Sequence, residues 1–390
     1  MSDGIPAGRL GAIRDVLPAL RRAVYGNTGT AGPLPRPAAA ALEAAFARQV
    51  DEGRIGPHTW TEAGEVASGV RAGIGRLLSS AEDRVALTHH TTDGINIAAL
   101  GIHWRPGDVA LTTDLEHMAN QIVVGALRLR HGVEVRVVRL SQARSLDEVA
   151  SMLESAMQGA VRAVFLSHVS YATGAILPLP TVAEMAHIWG AAVVVDGAQS
   201  VGAMPVSPAE LGADFYTVSG QKWLCGPEGT GALWVAPGWE ERLLPGVVGY
   251  AGVARVDAEG YSLPAVGARR FEVGTTFSPA LAGLGASLGW LEGIGWPAIW
   301  GRTQDLAERA RLALAEVPGV EVLTPEVHAG LVSFRLGDVA AEAAVAALRE
   351  RGFLVRSIPG WNAVRISCGF FLEEAEIDSF AAAVAAVGRS

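Results

Sequence analysis

The sequence predicts an α/β protein with a doubly wound, mainly parallel sheet and a smaller α+β domain at the C-terminal end. Between residues 84 and 235, short β-branched runs alternate with longer stretches of helical periodicity. This alternation is typical of parallel strands that are joined by crossover helices. In the last third of the chain the pattern changes to helices separated by single or paired strands. The two patterns predict two different domains.

The strands predicted for the large domain are short and mostly apolar. Several are continuous apolar runs, which indicates strands buried on both faces of a parallel sheet. The stretches between them suit crossover helices, so we expect helices on both faces of the sheet. The predicted strands are residues 84–88, 109–112, 134–139, 163–167, 192–196 and 215–219.

The small domain is predicted from helix and strand signals that end at glycine or proline. We expect the domain boundary in the glycine-rich stretch 247–267, so that residues 26–258 form the large domain and residues 1–25 and 259–390 the small one. The predicted helices are residues 303–317, 340–351 and 373–387, and the predicted strands are residues 331–336, 353–356 and 364–367.

Composition excludes several classes of function. The chain has 390 residues, half of them hydrophobic, yet no run of about eighteen apolar residues that could span a bilayer. Its formal charge of −9 is spread out, without the basic blocks of nucleic-acid or membrane-surface binding. Cys225 and Cys368 are too few for a disulfide framework, and no metal-ligand spacing is present. Residues 1–20 lack a secretory apolar stretch, so we expect a cytoplasmic protein with a small-molecule partner.

Polar residues follow the predicted strands, where ligands bind in open parallel sheets. After strand 84–88, Thr91, Thr92 and Gly94 begin a helix. They supply hydroxyls, free backbone N–H groups and the positive end of the helix dipole, which together suit a phosphate. An ordinary helix N-cap would use the same residue types.

Two charged residues follow later strands. Asp196 ends a buried apolar strand and therefore requires a cationic or N–H partner, such as a protonated pyridine nitrogen or, alternatively, a structural salt bridge. Lys222 follows the next strand, between Ser219 and a glycine-rich turn at residues 226–231. A lysine in a desolvated cleft has a lowered pKa and becomes a nucleophile toward aldehydes, although most lysines are simply solvated.

Taken together, the phosphate cradle, Asp196 and Lys222 resemble the class V, fold type I family of pyridoxal 5′-phosphate (PLP) enzymes. That family includes cysteine desulfurases, isopenicillin-N-epimerase-like proteins and C–S lyases, and the resemblance runs from residues 25–29 to the last helix. It implies a fold type I PLP-dependent transferase fold and PLP held as a Schiff base on Lys222. It also implies a homodimer whose active sites are shared between subunits.

The resemblance assigns roles to individual residues. His117 is expected to stack on the pyridine ring and to act with Lys222 in catalysis, although it could instead cap a helix. Arg365 is expected to clamp the substrate carboxylate bidentately, although it could instead be a surface residue. Asp196 is expected on the ring nitrogen, and Gln199 near the phenolic oxygen. Thr275, or the adjacent Thr276, is expected to reach the phosphate of the neighbouring subunit's cofactor, and Gln221 stands where many members have a histidine. The remaining expected cofactor-binding residues are Thr91, Thr92 and Ser219. The other expected substrate-binding residues are Asn27, Tyr171 and Arg356.

The type of reaction depends on the absence of a nucleophilic cysteine. Cysteine desulfurases carry one on a mobile loop, but loop 357–363 has none. Strand alternation points Cys368 away from Arg365, and Cys225 is expected to be a packing residue. A persulfide-forming desulfurase is therefore disfavoured.

Segment 167–174 resembles the C–S lyases, where an aromatic residue stands at the position of Tyr171 in place of the desulfurases' asparagine. The resemblance implies α,β-elimination on cystine, cysteine or a related S-substituted cysteine, giving pyruvate, ammonia and a thiol or persulfide. A class V aminotransferase, an amino-acid epimerase and a non-catalytic PLP-fold protein are the alternatives. The serine-hydrolase pattern at residues 285–289 is excluded, because it lies within a predicted helix, 280–292, rather than at a strand-to-helix turn.

Overall fold

The computed structural model describes residues 5–143, 145–260 and 262–389. The strands are β1 (Val24–Tyr25), β2 (Val85–Thr88), β3 (Val109–Thr113), β4 (Glu134–Val138), β5 (Val161–Ser167), β6 (Ala192–Asp196), β7 (Phe215–Ser219), β8 (Gly231–Val235), β9 (Val253–Val256), β10 (Ser262–Pro264), β11 (Val320–Val322), β12 (Leu331–Leu336), β13 (Phe353–Leu354), β14 (Arg356–Ile358) and β15 (Ala363–Ser367). The α-helices are α1 (Ala7–Asp15), α2 (Arg36–Asp51), α3 (Pro57–Leu77), α4 (Thr91–Gly101), α5 (Met118–His131), α6 (Leu146–Ala156), α7 (Leu179–Ile188), α8 (Trp239–Arg242), α9 (Ser278–Ile294), α10 (Trp296–Ala315), α11 (Ala341–Glu350) and α12 (Glu374–Val387).

The central sheet has the strand order β2-β8-β7-β6-β5-β3-β4 within the described residues. Strands β7, β6, β5, β3 and β4 are parallel to one another, whereas β8 runs antiparallel to both β2 and β7. Every residue of β3, β6, β7 and β8 is buried, as expected for strands covered on both faces. The mainly parallel α/β fold class is confirmed.

Alternate residues of the same strand enter two different cores. On β6, for example, Val193 and Val195 pack with α3, α6, α7 and the first half of α9, whereas Ala192 and Val194 pack with α4 and α5 on the other face. This division follows from the two-residue period of a strand. Helices therefore cover both faces, which makes the sheet doubly wound.

A third core lies in the small domain, between an antiparallel sheet and helices. The sheet has the order β11-β12-β15-β14, and α1, α10, α11 and α12 pack around it. Strand β1 pairs in parallel with β13, so the segment before residue 26 joins this domain. Helix α9 contributes Leu284 to the sheet core and Leu291 to the small-domain core, so it links the two. The domain boundary predicted at residues 247–267 stays a prediction.

Several predicted strands differ from the structure, and one strand of the central sheet was not predicted. Strand 353–356 was expected to be continuous, but β13 pairs with β1 and β14 pairs with β15, so the chain changes sheets at Val355. Strand β8 was not predicted, because it follows directly on the glycine-rich turn at residues 226–231. The strand predicted at residues 84–88 begins one residue later in the structure, at Val85, because Arg84 closes a 3₁₀ turn. The strand predicted at residues 134–139 ends one residue earlier in the structure, at Val138.

The last helices agree with the sequence more closely. Helices α11 and α12 match the predicted helices 340–351 and 373–387 within one residue at each end, and α10 begins seven residues earlier than predicted, at Trp296. The hydrolase-like pattern at residues 285–289 lies inside α9, as expected. In the part of the chain that the structure describes, no helix is long and apolar enough to cross a membrane. The cytoplasmic location stays a prediction.

Candidate active site

A cavity of about 300 Å³ lies at the carboxyl ends of β5, β6 and β7. The N-termini of α4 and α5 and the small-domain strands β14 and β15 complete its walls, so it lies between the two domains. The cavity brings together these residues singled out from the sequence: Thr91, Thr92, His117, Tyr171, Asp196, Gln199, Ser219, Gln221, Lys222, Arg356 and Arg365.

Asp196 is the last residue of β6 and is held in a tight turn. Its side chain is buried, and its Oδ1 accepts the N–H of Ala198 at 2.9 Å. The next residue must be glycine, because a Cβ on Gly197 would lie 2.2 Å from the ring of Tyr216 and 2.4 Å from the carbonyl oxygen of Thr217. This close packing holds the carboxylate at the floor of the cavity.

Lys222 reaches the same cavity from the loop after β7. Burial lowers the pKa of Lys222 to about 8; the carboxylate of Asp196 opposes this shift, and the charges of Arg365 and Arg356 add to it. A minor but appreciable fraction of the amine is therefore neutral near physiological pH and can act as a nucleophile or base. A lysine exposed to solvent keeps its ordinary pKa, so its amine would not be expected to react in this way.

Hydrogen bonds and close packing hold the loop that carries Lys222 in place. The N–H of Gly220 donates to the carbonyl oxygen of Thr230 at 2.8 Å, and the Thr230 hydroxyl would lie 2.2 Å from any Cβ on Gly220. The hydroxyl of Ser219 donates to Oε1 of Gln221 at 2.7 Å. Because its oxygen already accepts this bond, Gln221 can offer its amide N–H groups to the cavity.

The N-terminus of α4 forms the opposite end of the cavity. His90 is the N-cap, and its Nδ1 accepts the N–H of Asp93. The N–H groups of Thr91 and Thr92 lie in the first turn, where no intrahelical acceptor exists. A Cβ on Gly94 would lie 2.7 Å from Cγ2 of Thr217, so the helix packs closely against β7. The site therefore has the hydroxyls and N–H groups that a phosphate requires.

His117 both caps α5 and lines the cavity. Its Nδ1 accepts the N–H of Ala119 at 3.2 Å, so the neutral ring carries its proton on Nε2. Burial and the nearby charge of Lys222 lower the pKa of His117, which keeps the ring neutral. The ring meets Tyr171 edge to face at a centroid distance of 5.0 Å. The helix-cap alternative is correct, but it does not exclude a role in the cavity.

Arg365 is fully buried and only partly satisfied. Its Nη1 donates to the carbonyl oxygen of Tyr171 at 2.8 Å, whereas Nε and Nη2 have no partner among the described residues. Burial, together with the charge of Arg356, lowers the pKa of Arg365 to about 9, so it is cationic at neutral pH. Unpaired buried N–H groups are rare, and two on one guanidinium match the two oxygens of a carboxylate.

Gln199 is fixed by a residue that sequence reasoning did not connect with the site. Its Nε2 donates to the carbonyl oxygen of Gly29 at 2.8 Å, and its Oε1 accepts the indole N–H of Trp223 at 3.0 Å. One N–H of the amide remains for the cavity. No sequence pattern pairs Trp223 with Gln199, because the contact depends on how the lysine loop folds.

Two predicted residues lie outside the cavity. Asn27 is bridged to Ser367, and its Oδ1 accepts the hydroxyl of Thr30 at 2.8 Å. Thr275 is exposed, is hydrogen-bonded to the hydroxyl of Tyr250, and lines a separate cavity of about 1040 Å³.

Sequence reasoning also missed some cavity residues. Ser167 could have been found, because it ends a predicted strand. The other lining residues without a predicted role are Gly29, Thr30, His90, Ala119, Val169 and Ala198.

Neither cysteine lines the cavity. Cys225 is buried behind the lysine loop, and burial raises the pKa of its thiol to about 12. Cys368 lies in the small-domain core, as the strand alternation predicts, and burial raises the pKa of its thiol as well. Both thiols therefore stay protonated and unreactive.

Comparisons with known proteins agree with this site. A family model described as "Aminotransferase class-V" matches residues 27–380. Isopenicillin N epimerase of Streptomyces clavuligerus is 33% identical over 381 residues, which cover 93% of this chain and 94% of the epimerase. A probable cysteine desulfurase of Methanothermobacter thermautotrophicus is 30% identical over 348 residues, which cover 88% of this chain and 86% of that protein.

Solved structures with the same fold include the cystine C–S lyase C-DES. Its complex with the reaction product cysteine persulfide matches with a TM-score of 0.90 at 28% identity, covering 95% of this chain and 99% of that chain. A C-DES mutant with glycine covalently linked to the PLP cofactor matches with a TM-score of 0.89 at 28% identity, covering 95% and 98%. Because the family model spans most of the sequence and the fold agrees over nearly its whole length, the chain belongs to the class-V aminotransferase family of fold type I PLP enzymes.

Proposed function

We propose that the protein is a PLP-dependent C–S lyase that catalyses α,β-elimination on cystine, cysteine or a related S-substituted cysteine. Pyridoxal 5′-phosphate is the cofactor of this family, and the cavity fits it: a lysine with a lowered pKa, a buried carboxylate and a helix N-terminus surround one space. The observation that carries the proposal is that the cavity also contains Arg365 with two unpaired N–H groups, yet no thiol among its described lining residues.

Different residues of the cavity have different roles in the proposed reaction. Bound PLP supplies the electron sink for the bond that breaks at the substrate's α-carbon. Asp196 would stabilise positive charge on the ring nitrogen of bound PLP, and the neutral ring of His117 would pack against the cofactor ring. Arg365 holds the substrate carboxylate, which orients the Cα–H bond toward Lys222. The neutral amine of Lys222 accepts the α-proton, and loss of the β-sulfur substituent as a thiolate or persulfide completes the elimination.

A desulfurase mechanism requires a thiolate that attacks the substrate sulfur. The loop at residues 359–362 has no cysteine and is fastened in place: Nε of Arg335 donates to the carbonyl oxygen of Trp361 at 3.0 Å, and the side-chain oxygen of Asn362 accepts the N–H of Ala341 at 2.9 Å. A loop held in this way and lacking sulfur favours elimination over persulfide formation on the protein.

Epimerisation is the second candidate, favoured by the 33% identity to isopenicillin N epimerase over 93% of this chain. Both reactions begin with removal of the α-proton, so they differ in what happens next. Incubation of the purified, PLP-loaded protein with cystine, cysteine and alanine in deuterium oxide separates them. Pyruvate formed in step with released sulfur supports the lyase, whereas deuterated, racemised amino acid without pyruvate contradicts it. Alanine formed from cysteine would instead indicate a desulfurase.

We also propose a homodimer with shared active sites. Thr275 lies away from the cavity of its own chain, in a surface cavity that Trp60 and Phe277 border. Both aromatic side chains are more than half exposed. Exposed aromatic residues around a large concave surface are typical of protein–protein contacts. A second copy on this face would bring Thr275 to the cofactor phosphate of its neighbour.

A further inference from the structure

Glu116 is a buried acid directly beside the cavity, and the proposed reaction does not use it. It precedes His117 and is 1% exposed. Its Oε1 accepts the hydroxyl of Thr113 at 2.7 Å, and its Oε2 lies 2.9 Å from Nδ2 of Asn120 and 2.7 Å from the hydroxyl oxygen of Ser167. Ser167 itself lines the cavity, so Glu116 is one hydrogen bond away from a residue of the cavity wall.

No cationic side chain is within ion-pair distance of Glu116 among the described residues. The titratable groups in the segments next to Glu116 and Ser167 are Asp114 just after β3, His117 at the start of α5, His168 after β5, and Tyr171 in the following loop. The other titratable groups on α5 and β5 lie at the far ends of these elements: Arg128, Arg130 and His131 in the last turn of α5, and Arg162 near the start of β5. Asp114 bonds to Ser141, and His168 bonds to Tyr216, so neither neutralises Glu116. Burial without a counter-ion raises the pKa of Glu116 to about 7, although hydrogen bonds from Ser167, Thr113 and Asn120 limit the rise.

The protonation state of Glu116 determines where the hydrogen of Ser167 can point. When Glu116 is ionised, its carboxylate accepts the hydrogen bonds from Thr113, Asn120 and Ser167. The hydrogen of the Ser167 hydroxyl then points at Oε2, and this hydroxyl can only accept a hydrogen bond from a group in the cavity. With the Asn120 amide in its described orientation, Nδ2 faces Oε2 and cannot accept, so a proton on Oε2 has the Ser167 oxygen as its acceptor. The Ser167 hydrogen must then turn away from Glu116, and the cavity lies on that side.

Protonation on the other oxygen is less favourable. Oε1 faces the hydroxyl of Thr113, which is fully buried and already accepts the N–H of Leu115 at 3.2 Å. If Oε1 carried the proton, the displaced Thr113 hydrogen would need another buried acceptor. Ser167 borders the cavity and does not meet this difficulty.

We propose that Glu116 is a positioning residue that controls, through its own proton, whether Ser167 donates a hydrogen bond into the cavity or only accepts one. Ser167 stands opposite Asp196 in the register of β5 and β6, so the donor appears next to the carboxylate that holds the ring nitrogen. The hydrogen bonding of the bound cofactor then changes with the titration of Glu116. This inference rests on the proposed cofactor site but not on the choice between lyase and epimerase.

Infrared spectroscopy of the full-length, PLP-loaded protein tests the proposal. The wild type should show the C=O stretch of a buried carboxylic acid that disappears as the pH rises through about 7, and Glu116→Gln should lack it. Ser167→Ala removes a bond that stabilises the carboxylate, so its midpoint should rise by about one pH unit. The absorption band of the cofactor should shift with the same midpoint in the wild type and lose that shift in both variants.

Asp114→Asn is the matched control, because Asp114 is a neighbouring acid that bonds to Ser141 and does not line the cavity. It should leave the carboxylic-acid band and the spectral midpoint unchanged. Absence of a Glu116 band across the pH range, or a midpoint that does not move in Ser167→Ala, overturns the proposal even if Glu116→Gln does not fold. A protein that passes these tests but forms no pyruvate refutes the lyase activity alone.

Discussion

Arg356 and Arg365 stand directly opposite each other on the paired strands β14 and β15, and neither is within ion-pair distance of an acidic side chain among the described residues. Among the residues that the structure describes, Arg356 bonds to the carbonyl oxygen of Ser357 and the hydroxyl of Thr30. Like charges directly opposite on a sheet repel each other. A bound carboxylate relieves this repulsion, so binding an amino acid should stabilise the small domain.

The first prediction is therefore that Arg365→Ala weakens amino-acid binding by about 2–5 kcal/mol, because it leaves a desolvated carboxylate without its partner. Arg365→Lys should restore only part of this loss, since an ammonium cannot form the bidentate pair. Spectroscopic titration with a non-reacting amino acid measures the affinity. Equal affinity in the wild type and Arg365→Ala would contradict the assignment.

The second prediction concerns the lowered pKa of Lys222. In the cofactor-free protein, trapping of Lys222 by a small aldehyde and borohydride should increase as the pH rises through about 8, because only the neutral amine reacts. The Asp196 charge raises this pKa, so Asp196→Asn should move the midpoint to lower pH. With PLP, borohydride should fix the cofactor on Lys222, and peptide mapping would disprove the prediction if another lysine carried it.

The third prediction is that neither thiol is needed for turnover. The double variant Cys225→Ala, Cys368→Ala should keep most of the wild-type rate of pyruvate formation. Alanine is the better replacement at these buried sites, because a serine hydroxyl would lack a partner there. Loss of activity in one single variant, with its melting temperature preserved, would indicate a catalytic cysteine after all.

The fourth prediction concerns the buried chain of hydrogen bonds behind Asp196. The hydroxyl of Ser200 donates to the carbonyl oxygen of Gly197 and must therefore accept from Tyr216, whose oxygen in turn accepts from His168. Tyr216→Phe leaves the buried Nδ1–H of His168 without its acceptor and removes the bond that Ser200 accepts, so it should lower the free energy of unfolding by about 1–3 kcal/mol.

The same variant should also bind PLP more weakly, since the ring of Tyr216 and this chain hold the Asp196 turn. Denaturant unfolding and a PLP titration measure the two effects. Tyr25→Phe serves as a control, because its hydroxyl makes one partly buried bond, to the carbonyl oxygen of Ala31, on a different element. Unchanged stability and PLP affinity in Tyr216→Phe would show that the chain does not support the site.

The fifth prediction is that the protein is a homodimer in solution. Phe277→Glu places a charge on the exposed aromatic surface near Thr275 and should shift light-scattering mass toward the monomer while lowering PLP affinity. Ile188→Glu is the control, because Ile188 is 76% exposed at the end of α7 and does not line that cavity. A wild-type monomer with full activity would contradict the prediction.

Residues whose place at the cavity follows from their position at the end of a strand could be predicted from the sequence. Asp196, Lys222 and Thr91 each follow a predicted strand, and parallel strands bring their ends to one edge of the sheet. Strand β8 was missed because its five residues follow a turn and run antiparallel, outside the βαβ rhythm. The carboxylate of Glu116 and the indole of Trp223 were missed because their importance arises from contacts with residues far away in the chain.

The division of the cavity between two hydrophobic cores has a mechanical consequence. Asp196 ends β6 and Lys222 follows β7 of the seven-stranded sheet, whereas Arg356 and Arg365 lie on β14 and β15 of the four-stranded sheet. An amino acid bound as proposed would therefore contact both parts at once, with its amine at Lys222 and its carboxylate at the arginines. A primary amine without a carboxylate would be held at one end only, so the bond to be broken would not be oriented.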